Sequence, residues 1–251
     1  MRTCVLASGS KGNCCYIETN ETKILIDMGL NCVNTVKRLN EINVEPNEID
    51  AIFITHTHTD HTEGLKVFTK KYNTKVYLTE KMYDELKDNV QDYEIIGKET
   101  YINDTKIISI KTSHDTNDSN GYIIENDDKS LVYITDTGYI NIKNHKLLKN
   151  REIYILESNH DIDKLMNNPK YPYHIKQRIL GDKGHLSNKD SAYYLKKFIG
   201  ENTKYIVLAH LSEENNTEEL ALETLNKTLE QTNQEILIAQ QNNITRLIEV
   251  W

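Results

Sequence analysis

The chain has 251 residues, 38% hydrophobic and 27% charged, the make-up of an ordinary soluble globular protein with enough apolar material for a sizeable core. Its 30 Lys and Arg against 38 Asp and Glu give a net charge of -8, which excludes a protein coated in basic surface. Nucleic acid stays open as a partner, because divalent cations and a local basic groove offset a global deficit.

No apolar run approaches the roughly 20 residues of a membrane span. The one in MRTCVLASGSKGN is too short for a signal-peptide core. A cytoplasmic protein with no membrane partner is expected. Cys4, Cys14, Cys15 and Cys32 include no C-x-x-C pair, so all four are expected to be reduced and structural, with a regulatory disulfide left open. Cys14 and Cys15 are adjacent and should point to opposite faces of a strand.

Taken in order, short β-type runs at 4–7, 14–18 and 23–26 are separated by SGSKGN and TNET, a hairpin series. Apolar residues spaced by three predict a helix over 31–43. A buried strand (49–55), a helix (62–71), a strand (76–79) and a helix (80–90) follow. The second half predicts strands at 106–112, 121–125, 130–135 and 153–157. A helix (189–199), a strand (205–209), an amphipathic helix (217–232) and strands at 235–239 and 245–250 complete it. Hairpins and strand–helix alternation occur in both halves, so the sheets should be mixed. The expected fold is α/β, a four-layer αββα sandwich. Two mixed sheets pack face to face with helices outside, in one domain over 1–251.

The sharpest signal is His56-Thr57-His58-Thr59-Asp60-His61, between a buried strand and a helix. Three of the nine histidines in the chain lie in this hexapeptide. Neutral imidazole and carboxylate are ligands for zinc, manganese and iron, and four such groups are not satisfied by ordinary packing. The i, i+2 spacing turns His56 and His58 toward one ion, and Asp60 and His61 toward a second. His114, Asp136 and His210 each follow a predicted strand. Alone, each reads as a cap or turn residue; together they complete two shells, with the two oxygens of Asp136 bridging.

The ordered set HTHTDH, His114, Asp136, His210 resembles the metallo-β-lactamase superfamily. The resemblance implies that His56, His58 and His114 hold one divalent metal, that Asp60, His61 and His210 hold the other, and that Asp136 is shared. ILIDMG (24–29) resembles the early strand motif of that family, and its Asp27 would orient a ligand histidine. SGSKGN (8–13), TDTGY (135–139), ESNHD (157–161), YPYHIKQRILGDKGHLSN (171–188) and AHLSEENN (209–216) are similar to the YycJ/WalJ/VicX group, related to RNase Z, RNase J and the phosphodiesterase PhnP. This implies a dinuclear-metal phosphodiesterase or nuclease, a 5′-to-3′ DNA exonuclease above all, with DNA preferred to RNA. A hydroxide bridging the metals would attack phosphorus, with Asp60 orienting it.

Around GHLSN (184–188), Ser187 and Asn188 stand at a helix N-terminus, a ready phosphate site, and His185 is placed to protonate the leaving oxygen. Its other reading is a loop brace. Glu157 ends a strand and either supports a metal histidine or is a plain buried carboxylate. His160 either contacts substrate or pairs with Asp161 or Asp163. Tyr171, Tyr173, Lys176 and Arg178 interleave aromatics and bases, a nucleic-acid pattern. Rival readings are a carbon-ester or thioester hydrolase (lactonase or glyoxalase II-like), which the same metal shell would serve, and a non-catalytic regulatory protein of a two-component cell-wall system. Oligomeric state is not written in the sequence.

Overall fold

The computed structural model describes residues 1–230 and 233–250. The chain first lays down strands β1 (Arg2–Ala7), β2 (Cys14–Glu18) and β3 (Lys23–Ile26). Helix α1 (Cys32–Glu41), β4 (Ala51–Phe53), α2 (Thr59–Thr62), α3 (Leu65–Tyr72), β5 (Lys75–Leu78), α4 (Glu80–Leu86) and β6 (Tyr93–Ile95) follow. The second half adds β7 (Glu99–Ile102), β8 (Thr105–Lys111), β9 (Asn120–Asn126), β10 (Lys129–Ile134), α5 (His145–Leu148), β11 (Ile153–Glu157), α6 (Ile162–Asn167) and α7 (Tyr173–Leu180). Last come α8 (Asn188–Phe198), β12 (Tyr205–Ala209), α9 (Glu218–Leu229), β13 (Glu235–Ile238) and β14 (Ile248–Glu249).

The described strands form two seven-stranded sheets, ordered β14-β1-β2-β3-β4-β5-β6 and β13-β12-β11-β10-β9-β8-β7. Both are mixed. β1 to β3 and β7 to β10 pair antiparallel, while β3 to β6 and β10 to β13 pair parallel. Period-two alternation sorts each strand's side chains. Val5, Cys15, Ile17, Ile24 and Ile26 enter the layer between the sheets. Cys4, Leu6, Cys14, Tyr16 and Leu25 face the opposite way, against Leu39 of α1, Phe68 of α3 and Met82 of α4. On the far side, Ile123, Val132, Tyr154 and Ile206 pack against Leu195 of α8 and Leu225 of α9. Burial on both faces explains why the strands read as nearly unbroken apolar runs. Cys14 and Cys15 do point to opposite faces, and all four cysteines are free and buried.

Side-chain caps fix the helix starts. Asn31, Thr79, Asp161, Ser187 and Thr217 accept from the backbone N–H of Asn34, Met82, Lys164, Asp190 and Leu220.

Several boundaries differ from the sequence expectation, for local reasons. The strand expected over 49–55 pairs only at Ala51–Phe53, since Ile49 caps the 3-10 turn Pro46–Glu48, its N–H donating to Pro46 O, and Thr55 leaves the ladder for Asp27. The helix expected over 62–71 breaks at Gly64. The Gly64 N–H donates to Met28 O at 2.9 Å, and a Cβ there would lie 2.1 Å from Leu30 O. β6 and β7 are outer strands with exposed, mixed side chains and carry no alternation signal. Helix α7 has no fully buried residue and so no apolar stripe. Of the strand expected over 245–250, Ile248–Glu249 pairs. Residues 231–232 of the helix expected over 217–232 lie outside the described residues, and its last described turn ends at Leu229.

Candidate metal centre

Each candidate residue sits just past the C-terminal end of a strand, the edge at which open α/β sheets present ligands. Asp27 follows β3, the hexapeptide follows β4, and His114, Asp136 and His210 follow β8, β10 and β12. Glu157 is the last residue of β11. Three of them, Asp27 (φ 61°), Asp136 (φ 53°) and His210 (φ 56°), adopt left-handed backbone. Non-glycine residues hold that conformation at a cost of roughly 1–2 kcal/mol each. The sharp turn aims each side chain back across the sheet edge.

The side chains converge. Ligand-capable atoms of His56, His58 and His114 lie within 4.8 Å of one another, as do those of Asp60, His61 and His210. Asp136 stands between the two groups. Its Oδ2 is 3.2 Å from His61 Nε2, and its Oδ1 is 3.5 Å from His210 Nδ1 and 3.8 Å from His114 Nε2. A cavity of about 300 Å³ opens over them, lined also by Ser10, Asp115, Arg178 and His185.

Supporting groups fix the rings. Asp27, fully buried, accepts from Thr55 N–H at 2.8 Å and Thr55 Oγ1–H at 2.7 Å, and lies 2.7 Å from His61 Nδ1. This turns His61 Nε2 toward Asp136. Glu157 does the same on the second sheet: Oε1 is 2.7 Å from His185 Nδ1 and 3.0 Å from His210 Nδ1, while Oε2 accepts from Thr137 N–H and Leu186 N–H. Glu157 also belongs to a ligand-capable group with Asp136, His185 and His210. With both oxygens taken by internal donors, it reads as an orienting group.

Electrostatics sort the histidines. Burial, then the neighbouring His61, drive His56 well below its ordinary pKa, into the neutral form whose lone pair a cation needs. Burial also lowers His114. Burial opposes charge on His61, yet Asp27 and Asp136 raise its pKa to about 10. Asp136 is ionised against its own burial because His210 and His61 face it. Burial resists ionisation of Glu157 as well, but His185 holds its carboxyl down at about 2.

These donors fit a divalent cation. Two imidazole nitrogens, His56 Nε2 and His58 Nδ1, meet at 3.1 Å, where at most one can donate. His210 Nε2 is buried with no hydrogen-bond partner among the described residues, Asp60 Oδ2 standing 3.9 Å off. Imidazole and carboxylate together suit zinc, manganese or iron.

Four residues expected to touch substrate are engaged with other parts of the chain in this structure. His160 is 1% exposed and turns its Nδ1 to Asn159 Oδ1 at 3.3 Å. Ser187, 1% exposed, spends its hydroxyl on Asp190 as a helix cap. Asn188, 2% exposed, is locked to Ser158 and Asn216. Lys176 donates to Met166 O at 2.6 Å, away from the cavity. Arg178 does line the cavity, ion-paired with Asp115.

Asp115, Asn13 and Thr55 were not singled out from sequence. Asp115 Oδ1 lies 3.4 Å from His114 Nε2 and 3.8 Å from His58 Nε2. Its only signal was an acid directly after a candidate ligand. Asn13 Nδ2 lies 3.0 Å from His61 Nε2 and 3.3 Å from Asp60 Oδ2, and the Asn13 N–H donates to Asp60 O at 2.7 Å. SGSKGN marked that turn but not the role of its last residue.

Comparison with known proteins agrees with this architecture. A family model described as "Beta-lactamase superfamily domain" matches residues 22–210. The chain is 40% identical over 236 residues to Exodeoxyribonuclease WalJ of Streptococcus pneumoniae, covering 90% of this chain and 87% of that one. It is 36% identical over 234 residues to Exodeoxyribonuclease YycJ of Bacillus anthracis, covering 90% and 88%. Among solved structures, the metallo-beta-lactamase fold protein YhfI from Bacillus subtilis superposes with a TM-score of 0.74 at 15% identity, over 97% of this chain and 98% of that one.

Proposed function

The chain belongs to the beta-lactamase superfamily, with the metallo-β-lactamase fold, and from that premise we propose that it is a metal-dependent exodeoxyribonuclease. The observation that carries the reading is the convergence of seven imidazole and carboxylate side chains from both sheets on one open cavity. His56, His58, His114 and Asp136 would hold one divalent cation, and Asp60, His61, His210 and Asp136 a second, with zinc or manganese the metals that suit the set. Such a pair supplies neutralisation of phosphate charge and acidification of water.

The chain's own residues do the rest. Asp27 and Glu157 fix the tautomers and tilts of His61 and His210. Asp60, at the cavity wall beside His61 and His210, orients the attacking water as well as binding. His185 lines the cavity with Nδ1 toward Glu157, leaving Nε2 free to face substrate. Burial works against its charge, but Glu157 raises its pKa, so the imidazolium persists toward neutral pH and can protonate the departing oxygen. Arg178, more than half exposed at the rim, offers a forked contact to a phosphate once Asp115 releases or shares it.

We read 1–251 as one hydrolase domain, since both sheets bury a single shared apolar layer. Among the described residues no helix is long and apolar enough to cross a membrane. The exodeoxyribonuclease relatives support DNA rather than RNA as the substrate, and a cytoplasmic setting is part of the same reading. The test is elemental analysis of purified protein beside assays on 5′-phosphorylated DNA, RNA, a thioester and a lactone under zinc and manganese. Bound divalent metal with cleavage of DNA is the expected outcome. Turnover confined to the thioester or lactone would reject the nuclease reading, and metal-loaded protein with no turnover at all would favour a regulatory role.

A further inference from the structure

The lining of the candidate catalytic cavity stops at His114 and Asp136, and a second cavity begins beside them. It has a volume of about 370 Å³ and is lined by Lys98, Ser109, Lys111, Thr112, Tyr139 and Lys143 among others. A third, of about 390 Å³, shares Lys98, Ser109 and Lys111 with it and continues to Thr79 and Ile96. The two form one groove. Its near end is built from the loops that carry His114 and Asp136, which are laced together: Gly138 N–H donates to Ser113 O at 2.9 Å, and Ser113 N–H to Thr137 Oγ1 at 3.0 Å.

The groove's chemistry is out of keeping with a chain of net charge -8. No Asp or Glu lines either cavity. By contrast, the cavity beside α9 is lined by Glu213 and Glu218, and the one at the β2–β3 turn by Glu18, Glu21, Glu48 and Asp50. Of the three lysines, Lys111 pairs with Asp118 at 2.5 Å, and the other two have no ion pair among the described residues. Tyr139 is 40% exposed at the near end.

Cations that track a phosphodiester backbone and an exposed ring on which a base can stack are the elements of a single-strand track. We propose that this groove holds the single-stranded DNA running away from the scissile bond, Lys98, Lys111 and Lys143 meeting phosphates and Tyr139 stacking on a base. The proposal rests on the nuclease reading for the choice of polyanion.

Binding is read without turnover, by fluorescence anisotropy of a labelled 20-nucleotide phosphorothioate DNA strand with the metal-loaded full chain, across a NaCl series. Lys98→Glu/Lys143→Glu should weaken binding at least tenfold. It should also flatten the log–log salt slope by about 1.4, two contacts at about 0.7 each. Tyr139→Ala should weaken binding severalfold with the slope unchanged, since stacking releases no counterions. Melting temperatures within a few degrees of the parent certify the variants as folded, and Tyr139→Phe should restore the affinity lost in Tyr139→Ala. Lys66→Glu/Lys70→Glu, on α3, is the control for bulk charge. Affinity and slope unchanged in the groove variants, or an equal loss in the control, would overturn the proposal. Parent protein that binds in this manner but cleaves no DNA leaves the groove standing and removes the nuclease reading. Parent that cleaves DNA while the groove variants bind as it does removes the groove alone.

Discussion

Asp27 Oδ2 lies 2.7 Å from Nδ1 of His61, both side chains fully buried, across 34 positions of sequence. A carboxylate there fixes which ring nitrogen of His61 faces Asp136, and raises the basicity of that nitrogen. Asp27→Asn keeps the shape and removes the charge. It should weaken divalent-metal affinity by about 10–100-fold, measured by competition with a chromophoric chelator. Affinity equal to the parent would sink the assignment.

His185 should matter in proportion to how badly the leaving oxygen needs a proton. His185→Gln should slow DNA cleavage by about 10²–10⁴-fold and a p-nitrophenyl phosphodiester far less, since nitrophenolate departs unprotonated. Because the acid form acts, parent activity should fall as pH rises through the elevated His185 pKa. The variant should lose that alkaline limb. Equal losses on both substrates would point to a loop brace instead.

His160 predicts an acid liability. Burial first holds its folded pKa down to about 4, against the ordinary 6.5 of histidine. Below 6.5 the unfolded chain takes up a proton that the fold refuses. The neutral ring's contribution is therefore whole above pH 6.5 and is lost as pH falls to about 4, on the order of 3 kcal/mol in all. His160→Gln should flatten the difference in melting temperature across that window. Parallel pH profiles for parent and variant would refute it.

Gly29 is required by space. A Cβ there would fall 1.6 Å from Asp60 O and 2.6 Å from Asn13 N, both backbone atoms. Gly29→Ala should cost at least about 3 kcal/mol, beyond the usual overpacking range, and should release metal as the Asp60 turn is pushed away. Gly97→Ala, whose Cβ would meet Glu99 O at 3.7 Å, an ordinary contact, should be close to neutral. Denaturant titration of both separates crowding at one turn from a general effect of lost glycine.

How much could be read beforehand follows from where the information resides. The hexapeptide is local: four donor residues between an apolar strand and a helix announce themselves within a short window. The apolar runs of β9 to β12 are similarly local, and so is the helix N-terminus at Ser187. His114, Asp136 and His210 are single residues whose meaning is their meeting. No period or spacing encodes that; their shared place after predicted strands grouped them, and the resemblance assigned each to a shell. Helix α7 was missed because it has no buried stripe to betray a helix. Which way Ser187 and Asn188 turn was not legible, because polar residues ahead of a helix look alike whether they face solvent or seal the loop to Asn216 and Asp190. Asp115 shows the converse: its importance comes from Arg178, which lies on another element.

The hexapeptide hangs from one sheet, and the histidine and aspartate partners from the other, so rings in the apolar layer between them set how far apart the two sets of donors stand. Phe53 stacks on Tyr77 at 4.7 Å and meets Tyr122 edge-on at 5.5 Å, and Tyr122 Oη donates to Ile54 O at 2.5 Å, two residues before His56. The girth of these buried aromatics is thus a spacer for the reacting centre. Exchanging Tyr122 for a slimmer side chain would retune the distance between the two sets of donors without touching any of them.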